Sequence, residues 1–193
     1  MGLVGLVMVL ITVPAAAFTY GTGPYGVCLY GSCQEIAIIS NGSVSLNVDP
    51  TAAGACTIQS DTVSVFTQDS SGIILTLNNS STSTSLSNGS STINSTTATQ
   101  ASPAALAVNS WGYRVDGVGE FGAGPTTAQS DTTLNSILFA EVPPSNGTPD
   151  ILASTNIAAD PPVNTNVWYS DCANTSVGSG IYSAQVTYTA IAN

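Results

Sequence analysis

The chain has no histidine, no lysine and one cation, Arg114. Each absence removes a class of function. Without imidazole, neither a Ser-His-Asp nor a Cys-His arrangement can be built within the chain, and the commonest general acid–base group is missing. Without a basic surface there is nothing to neutralise phosphates, so nucleic acid is excluded as a partner. Charged residues of either sign make up 6% of the chain, against about 25% in ordinary soluble domains. The glycine-rich stretch 117–125 (GVGEFGAGP) lacks the lysine of a phosphate loop and opens no helical pattern.

The remaining acids give little chemistry. Asp116 and Glu120 are the nearest approach to a glycosidase pair, but they share one loop, where surface solvation accounts for them. Asp150, Asp160 and Asp171 read as loop acids that could meet calcium, but they fall in no EF-hand pattern. A zinc site is disfavoured by cysteine spacing and by the absence of histidine. The expectation is a protein that is not an enzyme and carries neither metal nor cofactor.

What is present is apolar and neutral-polar. Hydrophobic residues make up 43% of the 193 residues, and eleven acids set a net charge of −10. The apolar residues recur in short alternating runs that can bury a face, unlike those of a disordered chain. Four cysteines, Cys28, Cys33, Cys56 and Cys172, allow three pairings. An exported chain with an even count favours two disulfides: Cys28–Cys33 closing a small loop, and Cys56–Cys172 as a long-range staple.

Residues 1–18, MGLVGLVMVLITVPAAAF, precede any charge; the first is Glu35. A helix here would be apolar all round, with Leu3, Leu6, Val7, Leu10, Ile11 and Val13 as its packing residues. Leu3 to Ala17 would extend roughly 22 Å, short of the roughly 30 Å hydrocarbon core of a bilayer, and Pro14 would stop or kink it. Three fates are open to the stretch. It is an assembly helix retained on the mature protein, a signal peptide cut before Phe18 (although no basic n-region precedes it), or a membrane anchor. Residues 19–35 read as a disulfide-pinned neck of glycine, proline and tyrosine.

Strand patterns fill residues 36–193. The run Ile36–Ile39 and the alternating Val44, Leu46 and Val48 flank Asn41-Gly42, a hairpin signal. Further strands are expected at Val63–Val65, 72–77, 104–108, Trp111–Val115, Leu134–Ala140 and Val167–Tyr169. The clearest is Tyr182–Ala190, with strict period 2. The Ser/Thr/Asn tract 78–99 reads as a polar hairpin at the outer surface, turning at Asn88-Gly89. Pro143-Pro144 and Pro161-Pro162 punctuate loops. Arg114 is expected to pair with Asp116 or Glu120. About ten short strands at this spacing imply an antiparallel, Ig-like β-sandwich. The fold class is thus mainly β, with an N-terminal hydrophobic α-helix (1–18), a neck (19–35) and a sandwich domain (36–193).

The segments SVSLNVDPTAAGACTIQSD, GIILTLNNSSTSTSL, NSWGYRVDG, GEFGAGP and NVWYSDCANTSVGSGIYSAQVTYTA, with the neck TYGTGPYGVCLYGSC, resemble surface proteins of ultrasmall host-attached bacteria. The first eighteen residues resemble the start of a mature type IV pilin, although Gly5 stands where such pilins carry an acid. The pilin resemblance implies a filament subunit with itself as partner, a membrane as its station before assembly, and a host cell surface as a further partner. Helices would form the filament core and β-domains its sheath, outside the cell, serving attachment or motility. The competing expectation is a secreted monomeric adhesin that begins at Phe18.

Overall fold

The computed structural model describes residues 5–12, 36–132, 134 and 136–193. They form twelve strands: β1 (Gly5–Thr12), β2 (Ile36–Ile39), β3 (Ser43–Val48), β4 (Ala55–Thr67), β5 (Ile73–Asn79), β6 (Leu86–Ser87), β7 (Thr92–Ser95), β8 (Ser110–Val115), β9 (Gln129–Thr132), β10 (Asp150–Ser154), β11 (Ala159–Ala173) and β12 (Ile181–Ala192). No helix occurs among the described residues, so none there is long and apolar enough to cross a membrane. The fold is mainly β.

The strands form two sheets. In the first, β12 is central. It pairs antiparallel with β5 and β6 and parallel with β1, while β10 extends β5 and β3 extends β1. In the second, β11 lies between β4 and β8; β2 and β9 continue from β4, and β7 lies parallel to β8. The β6–β7 hairpin carries the chain from one sheet to the other.

One apolar core joins the inward faces. It takes Val44 and Leu46 from β3, Val63 and Val65 from β4, Leu75 and Leu77 from β5, Trp111 and Tyr113 from β8, Tyr169 from β11, and Tyr182, Val186 and Tyr188 from β12. A smaller cluster of Ile58, Leu134, Phe139 and Trp168 covers the outward side of the second sheet. Residues Val167–Ala173 of β11 are therefore buried on both faces, as a strand covered by two layers must be. The Cys56–Cys172 disulfide joins register partners of β4 and β11 across 116 residues of sequence. In the loop-entropy account a loop of that length stabilises by about 4–5 kcal/mol.

Several expectations change. The helix expected over 1–18 falls only in part on described residues: Gly5–Thr12 is described as strand β1, and residues 1–4 and 13–18 lie outside the described residues. A run of apolar residues carries no period that separates buried helix from buried strand, and Val7, Val9 and Ile11 are β-branched residues that suit a strand. Asn41-Gly42 makes a turn, with Gly42 at φ +81°, but its flanking strands do not pair: β2 joins β4 and β3 joins β1. The described residues of 134–140 form no strand; they contribute Leu134 and Phe139 to the outer cluster and bridge at Ala104↔Phe139 and Tyr113↔Ala140. Residues 104–108 likewise form no strand beyond that bridge. Pro161 and Pro162 lie inside β11, where the register against β4 shifts between Ala159 and Val163, a bulge that dispenses with their missing donors. The sheets are not purely antiparallel, since β1–β12 and β7–β8 run parallel.

Candidate assembly site

The sequence singled out residues 1–18, and the structure gives part of them a definite seat. Leu6–Thr12 of β1 run parallel to Ile181–Thr187 of β12, and Gly5–Leu10 run antiparallel to Val48–Ser43 of β3. Strand β1 thus fills a slot with a ladder on each side. On the far side of the slot, β3 has β1 as its sole ladder partner among the described strands. Its side chains explain why it must be held there. Val44, Leu46 and Val48 are buried and Ser43, Ser45 and Asn47 exposed, so β3 closes one flank of the core while its backbone groups depend on β1 for pairing.

The slot is neutral. No charged residue occurs in Gly5–Thr12, Ser43–Val48 or Ile181–Ala192. Charged side chains are a usual device for discouraging strand addition at a sheet edge, and none of the three strands carries one. Of the expected packing residues, Leu6, Val7, Leu10 and Ile11 fall in β1; Leu3 and Val13 lie outside the described residues, as do Cys28, Cys33 and the neck.

The domain that frames the slot is braced by polar links the sequence did not reveal. Tyr169 Oη and Tyr188 Oη meet at 2.8 Å between the sheets, with Asp61 facing the pair. The backbone N–H of Asn41 donates to Asp61 Oδ1 at 2.9 Å. Tyr113 donates to Asp150 Oδ2 at 2.5 Å, a second bridge from β8 to β10. Burial raises the carboxyl pKa of Asp61 and Asp150, with these hydrogen bonds opposing the shift. It also raises Tyr113, Tyr169 and Tyr188 above the usual phenol range. A tyrosine hydroxyl and a carboxylate satisfy one another's hydrogen-bonding needs in an apolar layer, so the sheets gain a fixed spacing.

Asp171 is different. It sits fully buried in β11, neither carboxyl oxygen has a hydrogen-bond partner, and burial pushes its pKa up to about 8. It belongs to a strand rather than to the loop the sequence suggested, and among the described residues no three potential metal-ligating side chains converge.

Arg114 is fully buried and donates to Asp116 Oδ1 and to the Gly122 carbonyl, both at 2.9 Å; Glu120 takes no part. Phe121 lies 5.8 Å from the guanidinium. This lone cation is spent inside the protein. A groove of about 570 Å³ runs along Ser95–Thr99, with Ser102, Ala104, Ala105, Ala107 and Ser110 opposite; its lining offers hydroxyls and methyl groups but no ionisable side chain.

The geometry defines a two-layer β-domain with an interior strand slot filled by its own N-terminal segment. The chain matches no protein-family model and no curated protein.

Proposed function

We propose that the protein is a structural subunit of an extracellular filament, with the apolar N-terminal segment as assembly element and the Ig-like β-domain as outer sheath. The observation that carries this reading is the seat of β1. An uncharged apolar segment is integral to the sheet, on two ladders, so its release would leave backbone groups without partners. The long-range disulfide fits an oxidising, extracellular station. The surface-protein resemblance of residues 43–193 points the same way, and an attachment or motility fibre is the role it suggests.

Two forms of assembly follow from the two sources. The type IV pilin resemblance calls for the segment as a helix bundled in a filament core. The ladders of β1 favour it as a strand. Either form needs an apolar, uncharged segment. Val7→Asp places a charge in it and is expected to abolish filaments on cells, as seen by electron microscopy, while the secreted yield is unchanged; filaments of normal number from that variant would sink the reading.

The competing role is a monomeric secreted adhesin formed by cleavage before Phe18. Such a cut would remove β1 and leave β3 without its ladder partner. That consequence favours retention of the segment.

A further inference from the structure

We infer that β1 is exchanged between copies: the Gly5–Thr12 strand of one chain fills the slot between β3 and β12 of the next, linking identical subunits head to tail. This rests on the filament reading and names its interface and its partner, a second copy of the chain.

Three observations carry it. First, the slot's occupant is known in sequence and register, because the chain's own segment sits there: Met8 is the partner of Ser45 on one side and of Ser183 on the other. The same ladders form whether the strand arrives from the same chain or a neighbour, so exchange requires no new contact.

Second, covalent connection does not force the closed form. Residues 13–35 separate β1 from β2, and a chain of that length can span at most roughly 75 Å, enough to reach an adjacent domain. Third, no charge on β1, β3 or β12 marks either edge against a foreign strand. A contact between two different surfaces of identical chains is heterologous, and repeated without ring closure it generates a fibre. Copies crowded at a surface meet at high effective concentration, which lets a neighbour's slot compete with the chain's own.

The test uses cysteines at register partners. Paired antiparallel residues lie about 4.5–5.5 Å apart at Cα, within disulfide range. Met8→Cys and Ser45→Cys are introduced into separate full-length chains that are co-expressed, and cell-surface material is run without reductant. Exchange predicts a covalent dimer with one chain of each kind, absent when either variant is expressed alone. A chain carrying both cysteines is expected to give a covalent ladder. Leu10→Cys with Ser43→Cys repeats the experiment at a second register pair, so that one poorly folding variant does not decide it. Cross-linking of the double variant only within its own chain overturns the inference. So does normal filament formation with no cross-link between copies at either pair; that result leaves the filament reading standing with a different interface. Absence of filaments from the unmodified chain would instead remove the reading beneath it.

Discussion

Asp171 shows how one side chain sets a property of the whole domain. In the fold its carboxyl pKa stands at about 8, against an ordinary value of 3.8. Between those values the folded chain keeps a proton that the unfolded chain releases, so this residue's contribution to stability is lost as pH rises through that window. Asp61 and Asp150 are raised in the same direction. Asp171→Asn removes the titration and keeps the shape. Thermal unfolding should show the variant more stable than the parent at pH 8, by at least about 1 kcal/mol, with little difference at pH 4. An unchanged pH profile would contradict the assignment. None of this was legible in the sequence, where Asp171 looked like one loop acid among several. Its burial follows from its place on the inward face of β11, two residues from Tyr169 and level with Trp111, and a lone acid at a core position breaks the apolar alternation that would announce it. The sequence left Asp116 and Glu120 both open as partners of Arg114, and the nearer acid, in the turn after β8, is the one that reaches the guanidinium.

At the scale of elements, the strands with strict alternation were the ones the sequence located well. β3 and β12 follow their period-2 patterns closely, and their buried positions are the apolar ones. What the sequence could not reveal was pairing. Ile36–Ile39 and Ser43–Val48 look like a hairpin around Asn41-Gly42, yet they belong to different sheets, because the turn redirects the chain across the core. The tract 78–99 likewise forms its short hairpin at Asn88-Gly89, but Leu86 and Ile93 are buried, so the hairpin links the sheets rather than decorating the surface. The apolar N-terminal run was found, and its form as β1 was not, since a run without a polar face fits either secondary structure until partners are known. The dependence of β3 on β1 yields a prediction at this scale. In a chain shortened to begin at Phe18, the amides of Val44–Val48 should lose hydrogen-exchange protection, while those of β4 and β11, held by each other and by Cys56–Cys172, keep theirs. Full protection of β3 in the shortened chain would show that its place does not rest on β1.

For the whole molecule, a neutral slot, an apolar segment that fits it and a disulfide-braced β-domain are the features on which the proposed filament role rests. The near absence of charge, 6% of residues, leaves strand pairing as a force the proposed assembly would draw on, through β1 and the strands that receive it. The account therefore turns on whether that segment stays with the protein at the cell surface. Intact mass measurement with N-terminal sequencing of the protein recovered from the cell surface tests this most directly. The account predicts chains that retain residues 5–12. Recovery only of monomeric chains beginning at Phe18 would contradict it and leave the β-domain to act alone.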